Sequence, residues 1–273
     1  MMTPSKATIR AAVISLLMAA AVYLITRSAL LALWVVGVAA AIAVAGLVMQ
    51  RRGATPTDVV KSRREKRTSP LGRALLHDRL PVRFATLFGL VAVLFVAAWF
   101  IGYHLLPERA LAAAPARGAL DESPATLGAA LLQILAWNLT LPLAVVIGAN
   151  LLLRINGYPL GYAHPLLTSV WYGLILGSNS FAVPMPARMA PSLAVLQRAG
   201  PYEFAGYCLI AVATYGLARF EMKRFLEGRV ERVTPSVPLS LTPTQWLGLA
   251  SGIALIVLAG WREAAMIAAI SGR

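Results

Sequence analysis

Five polar side chains stand within or beside long apolar runs of this sequence. They are Asn138, Asn150, Asn156, Glu203 and Glu263. A carboxylate inside or at the edge of a membrane-spanning segment is energetically unfavourable, so one that is kept there is a functional candidate by default. The two glutamates are therefore the first residues to which a binding or transport role can be assigned.

Glu203 also has a purely local interpretation. It follows Pro201 by two residues, and proline is favoured in the first turn of a helix because that turn needs no N–H from it. If Pro201 begins a helix, Glu203 falls where the helix dipole stabilises an anion. The sequence leaves the functional and the helix-start interpretations open.

Groups with known catalytic spacing do not occur in the sequence. The three histidines, at 77, 104 and 164, form no HExxH pair, and Ser178 and Ser180 lack the GxSxG spacing of a nucleophile. No phosphate-binding GxxxxGK[ST] loop is present, and Cys208 is the single cysteine. We therefore expect no catalytic residue, no cofactor, no metal site and no enzymatic activity.

Long apolar runs indicate the helices that must position these residues. The 273 residues are 59% hydrophobic and 13% charged, and residues 28–50, 84–106 and 127–153 form runs of 23, 23 and 27 residues. A helix needs about 20 apolar residues to cross hydrocarbon. The sequence predicts an all-α, polytopic transmembrane bundle of about seven spans, within a range of five to seven. The other spans are 11–26, one within 158–181, 201–218, and one from 244 to at least 260.

Proline and charge mark the irregular parts of this bundle. Pro142 predicts a kink or local unwinding in the run 127–153. The prolines of 182–200 argue against a continuous helix there. The helix from 201 is expected to continue through 219–233, and Arg262 and Glu263 to mark the end of the last span.

Basic residues predict the orientation. Ten Lys/Arg lie in 51–83 and five in 219–232, and an N-terminus inside places 18 of the 25 on the cytoplasmic side. We divide the chain into an N-terminal hairpin (1–50), a basic cytoplasmic loop (51–83) and a bundle (84–273). After Pro70, the loop forms either a short interfacial helix that Pro81 ends or a solvated charged segment. The net charge of +14 lies beside apolar runs, so we expect anionic lipid, at 51–83 and 219–232, rather than nucleic acid as its partner.

Small residues at four-residue spacing predict close helix packing. The pairs are Ala144 and Gly148, Gly157 and Gly161, Gly173 and Gly177, and Gly248 and Gly252. We expect most of them to pack within the chain, while homo-oligomerisation stays open. In the Asn156-Gly157 element, Gly157 supplies either a left-handed backbone at a helix boundary or close packing.

Several of these residues resemble a known family. Trp137-Asn138, Asn156-Gly157 with Gly161, and the run from Pro201 through Glu203 to Tyr207 are similar to the stage II sporulation protein M family over roughly residues 125–270. The terminal run around Glu263 is also similar, whereas Tyr202 stands where the family often has histidine. The resemblance implies a prokaryotic integral membrane protein of the inner (plasma) membrane that recruits wall-associated partners without being the hydrolase.

Two functions follow as hypotheses. The first is a non-enzymatic scaffold or assembly subunit of a membrane complex, with other membrane or wall-associated proteins as partners. The alternative is a transporter or permease subunit, since broken helices with polar groups often mark a transport pathway. The residues on which either role would depend are Asn138, Asn156, Gly157, Gly161, Pro201, Glu203 and Glu263.

Overall fold

A computed structural model describes residues 69–112, 126–181, 185–222, 230–233 and 241–270. This part of the chain is mostly helical, which confirms the expected class in its main feature. The predicted N-terminal hairpin and most of the basic loop 51–83 lie outside the described residues.

The described chain begins with two consecutive helices. Helix α1 spans Pro70–Leu75, and the hydroxyl of its N-cap Ser69 accepts a hydrogen bond from the Gly72 N–H at 3.1 Å. Helix α2 spans Leu80–Leu105. The prediction that Pro81 ends the interfacial helix was wrong. Pro81 lies in the first turn of α2, where its missing N–H is not needed.

The next long helix is broken where its proline predicts. Helix α3 spans Leu127–Pro142, a π-helical turn follows at Leu143–Ile147, and α4 continues over Gly148–Leu152. Proline removes one backbone donor, so the regular hydrogen-bond ladder cannot pass through it unchanged. The expected distortion near Pro142 is confirmed.

Three helices among the described residues are long and apolar enough to span a bilayer. They cover Leu80–Leu105, Leu127–Leu152 and Pro243–Ala269. Helix α5 (Ala163–Gly177) and helix α6 (Gly200–Ala213) are shorter. At 1.5 Å per residue they measure roughly 21–22 Å, less than the ~30 Å hydrocarbon core. Length and composition thus support a membrane protein.

A small mixed sheet interrupts the expected all-α fold. Its strands are β1 (Leu153–Ile155), β2 (Tyr158–Pro159), β3 (Phe220–Met222) and β4 (Val230–Arg232), in the order β2-β1-β3-β4. The expected helix through 219–233 is therefore wrong, because α6 ends at Ala213 and the chain then enters β3. An Arg154–Glu221 ion pair of 2.7 Å joins the parallel strands β1 and β3.

The last helix, α7, is longer than expected. It runs over Pro243–Ile270, so it passes Arg262 and Glu263 instead of ending there. Arg262 lies outside the bundle, with its guanidinium 5.8 Å from the Tyr202 ring. The charged pair predicts a boundary because charges usually leave the membrane, but a long side chain on a helix surface can carry its charge outward while the helix continues.

Glycines allow the closest helix contacts in this bundle. A Cβ atom on Gly173 would lie 2.5 Å from the Phe95 carbonyl oxygen of α2. One on Gly252 of α7 would lie 2.8 Å from the Gly206 carbonyl oxygen of α6. These approaches fit the intrachain packing that the small-residue spacing predicts. They place α2 beside α5, and α6 beside α7.

The two ends of the bundle can be named by their contacts. At the sheet end lie α1, the start of α2, the sheet and the end of α6. At the Arg188 end lie the ends of α2 and α5, both of which contact Arg188.

Candidate functional site

Glu203 is buried in the bundle and has a polar partner. It lies in the first turn of α6, as the helix-start interpretation predicts, with Pro201 beside it in the same turn. Its side chain is 4% exposed. The Asn138 side-chain amide on α3 donates a 2.7 Å hydrogen bond to Oε1 of Glu203. Two residues that were singled out in the sequence thus meet between α3 and α6.

Glu263 extends this group from α7. The carboxyl groups of Glu203 and Glu263 interact electrostatically, and both interact with the phenols of Tyr172 on α5 and Tyr207 on α6. Glu263 itself is partly buried. We define the Glu203 cluster as Asn138, Tyr172, Glu203, Tyr207 and Glu263. Its members come from four helices, and the hydrogen bond from Asn138 to Glu203 joins two of them, α3 and α6.

The chemistry of the Glu203 cluster follows from its composition. Two carboxyl groups in an apolar bundle are unfavourable unless a proton or a cation neutralises part of their charge. An asparagine amide and two phenols add neutral hydrogen-bonding groups. Within the described residues, no group of three or more His, Cys, Asp or Glu could hold a metal ion. The cluster is suited to proton or monovalent-cation exchange, or to tying helices together.

Ser178 and Ser180, which lack the spacing of a catalytic nucleophile, form hydrogen bonds at the end of α5. The Ser178 hydroxyl lies 2.7 Å from the Leu174 carbonyl oxygen and 2.8 Å from the Ser180 hydroxyl. Ser180 accepts a hydrogen bond from the Leu111 N–H at 3.1 Å. The His164 ring packs edge-on against Tyr207 at 5.4 Å. The hydrogen bonds of Ser178 and Ser180 thus give both serines a structural role.

Asn150 is a buried connector whose role the sequence did not specify. It is fully buried, and its Nδ2 donates to the Ala211 carbonyl oxygen at 2.9 Å and to the Thr214 hydroxyl at 2.8 Å. Its Oδ1 accepts from the Gly161 N–H at 2.8 Å. A Cβ on Gly161 would lie 2.3 Å from that Oδ1. Gly161 is thus a packing residue that lets Asn150 bind two elements at once.

The Asn156-Gly157 element is a hairpin turn at the sheet end. Both residues have positive φ, 50° and 88°, and they join antiparallel β1 and β2. Asn-Gly is the preferred pair for a tight turn with two left-handed residues. Asn156 therefore lies at the opposite end of α6 from Glu203, as the predicted topology requires. Of the predicted site residues, the structure brings together Asn138, Glu203 and Glu263.

We expect Gly157→Leu to reduce the yield of folded protein. A side chain in the left-handed region costs about 1–2 kcal/mol, which is a large part of a marginal stability. Gly216→Leu is the control, because a Cβ at Gly216 meets no atom within 4 Å among the described residues. Size-exclusion chromatography of detergent extracts measures the folded fraction. Equal yields for the two variants would remove the structural role of the turn.

Two arginines that the charge pattern did not reveal fasten the ends of the bundle. Arg188 donates to the carbonyl oxygens of Gly102, Tyr103 and Leu106 at the end of α2, at 2.6–2.9 Å. It also donates to Gly177 at the end of α5, at 3.1 Å. A guanidinium suits this position because the last carbonyls of a helix lack intrahelical donors.

Arg83 performs a similar task at the sheet end. We expected it among the basic residues of the loop, but it lies in α2 and is 1% exposed. Its guanidinium donates to the carbonyl oxygens of His77, Asp78 and Val212 and lies 3.7 Å from the centre of the Tyr215 ring. Burial of this arginine links the start of α2 to the end of α6.

Comparison of the chain with protein-family models, with curated proteins and with solved structures finds no match. The resemblance to the stage II sporulation protein M family therefore stays a prediction from the residues that carry it.

Proposed function

We propose that this protein is a non-enzymatic scaffold or assembly subunit of a multi-pass complex in a prokaryotic plasma membrane. The observation that carries the proposal is the use of its buried and partly buried polar side chains. Arg83, Asn150 and Arg188 each donate hydrogen bonds to main-chain carbonyl groups of other elements. Trp99 does the same, from its indole N–H to the Met189 carbonyl oxygen at 2.8 Å. Such contacts hold helix ends and loops in fixed relative positions.

A fixed framework supports the scaffold proposal over a carrier with moving halves. Alternating access needs one bundle or repeat to rock against another. Movement of α2 away from α5 would break the Arg188 bonds and open the glycine contacts at Gly173 and Gly177. The loops at both ends would instead be presented in constant geometry, which suits the binding of other membrane or wall-associated proteins.

Anionic lipid is a further partner in this proposal, and the basic segments would bind it. Residues 51–83 and 219–232 would contact anionic lipid at the cytoplasmic face. The burial of Arg83 removes one cation of the first segment from the total available to lipid, while Glu221 of the second segment pairs with Arg154 from outside it. The remaining basic residues still outnumber the acidic ones in both segments. The orientation with the sheet end inside follows from the same charge bias.

One observation favours a second candidate, a transporter or permease subunit. The Glu203 cluster places two interacting carboxyl groups among helices α3, α5, α6 and α7. The distorted turn after Pro142 lies in the same helix as Asn138. Distorted helices beside buried carboxyl groups are typical of ion pathways. In this candidate, Glu203 and Glu263 would exchange protons or a monovalent cation.

Glu203→Gln separates the two candidates because it removes a charge while keeping size and hydrogen-bonding capacity. We expect the purified wild-type chain in proteoliposomes to leave an imposed pH or Na⁺ gradient unchanged relative to protein-free vesicles. We expect Glu203→Gln to leave the gradient unchanged as well, and to change the stability of the protein only slightly. Glu231→Gln, a change on β4, serves as the matched control. Gradient dissipation by wild type that Glu203→Gln abolishes would replace the scaffold with the transporter.

A further inference from the structure

The glycines of the long helices show where other helices approach. A Cβ built on Gly102, Gly206 or Gly260 would meet a neighbouring helix at 2.6–3.0 Å. Gly89, near the middle of α2, has no such neighbour. A Cβ built there meets no atom within 4 Å in the described part of the chain. Glycine is the weakest helix former apart from proline, so an open glycine in the middle of a membrane helix calls for a reason.

The surface around Gly89 is a continuous apolar face of α2. Val93, Val96 and Phe100 follow at helical spacing, with exposed fractions of 67%, 50% and 55%. Ala85, one turn before Gly89, is also exposed. This face points away from α5 and α6, which cover the opposite side through buried residues such as Leu87 and Trp99. We name it the Gly89 face.

The chain itself contains a segment of suitable length to cover the Gly89 face. Residues 28–50 carry no charge over 23 positions, enough to cross hydrocarbon. Between positions 37 and 46, seven of ten residues are glycine or alanine. Small residues on both partners let helix backbones approach closely, which drives association in lipid.

The connection between this segment and α2 restricts where the segment can lie. Residues 51–68 join it to Ser69, the cap of α1, and α1 packs against the start of α2. Residues 51–68 contain seven Lys/Arg and no apolar run that could cross hydrocarbon. The segment therefore meets the membrane on the same side as Ser69, at the sheet end. Helix α7 begins at the same end, but a Cβ on its Gly248, Gly252 or Gly260 would meet a neighbouring helix, so among the described helices that begin there the open glycine is Gly89.

We propose that residues 28–50 pack against the Gly89 face of α2, with Gly89 at the point of closest approach. This contact would complete the bundle from within the same chain and is independent of the proposed scaffold role. Lipid or a second copy of the chain are the other occupants that the face could take.

Disulfide cross-linking in native membranes tests the contact. In a Cys208→Ala background, Gly89→Cys is combined with a single cysteine at each of positions 37–46, and a protease site is inserted in 51–68. After oxidation and cleavage, we expect the two fragments to stay linked at positions that recur every three or four residues. Val93→Cys, one turn further along the same face, repeats the scan in case Gly89→Cys impairs folding.

Control experiments distinguish the proposed contact from the other occupants of the Gly89 face. Leu258→Cys, on an exposed face of α7, should give no linked fragments with the same partners. A product of twice the chain mass with Gly89→Cys alone would show a second copy on this face and overturn the proposal. Failure of every position in both scans, with the variants folded, would leave lipid as the occupant and overturn it equally.

Discussion

Replacing Asn150 with leucine is expected to lower the free energy of unfolding by about 3 kcal/mol, because buried polar groups left without partners cost roughly 1–3 kcal/mol each. The Gly161 N–H and the Ala211 carbonyl oxygen would both lose their bonds to the Asn150 amide. Thr214 keeps its bond to the Ile210 carbonyl oxygen at 2.8 Å, so its loss is smaller.

Thermal unfolding in detergent measures this effect, with Gln133→Leu as the matched control. Gln133 is an amide on the same broken helix, but its buried Oε1 has no hydrogen-bond partner among the described residues. We expect Gln133→Leu to be neutral or slightly stabilising, because an unsatisfied polar atom is removed. Equal melting temperatures for the two variants would mean that Asn150 does not connect α4 and α6.

Replacing Arg188 with methionine is expected to reduce stability by about 2–4 kcal/mol, since four carbonyl groups at two helix ends lose their donor. Arg188→Lys is expected to recover only part of this loss. A lysine ammonium cannot reproduce the fork by which the guanidinium reaches α2 and α5 together.

Arg198→Met controls for the loss of one positive charge from the same loop, because it removes none of the Arg188 bonds. Protease sensitivity of the loop 106–112, which the guanidinium fixes through the Leu106 carbonyl, gives a second readout besides melting temperature. If Arg188→Met has the same melting temperature and the same protease resistance as Arg198→Met, the Arg188 end is held by apolar packing instead.

The long helices could be predicted from the sequence because their cause is local. Charge-free runs of more than 20 residues are too long for a half-buried soluble helix, and α2 and the broken helix of α3 and α4 coincide with two such runs. Pro142 and Pro201 act on the backbone of their own turn, so the broken helix and the position of Glu203 could also be predicted.

The pairing of Asn138 with Glu203 could not be predicted, because its cause is tertiary. The two residues are 65 positions apart, and each appeared only as a polar residue in an apolar context. The roles of Arg83 and Arg188 could not be predicted for a similar reason. In sequence, Arg83 and Arg188 look like loop cations, and only the assembled helix ends show the carbonyl groups that bind them.

The small sheet escaped prediction because its strands are only two or three residues long. Such pieces show no alternation that could be separated from a helix. Asn156-Gly157 was the one clear signal, since this pair favours a two-residue hairpin turn. Of the two roles that the sequence allows Gly157, the left-handed backbone is found, but it lies in this hairpin turn between β1 and β2 and not at a helix boundary.

The scaffold proposal is tested most directly by purifying the tagged chain from native membranes in mild detergent and determining the composition of the complex by native mass spectrometry. We predict a complex with at least one different membrane or wall-associated protein in fixed ratio, displaced by excess untagged chain and retained by Glu203→Gln. A chain that purifies alone or only with copies of itself, while its proteoliposomes show cation flux that depends on Glu203, would contradict the proposal.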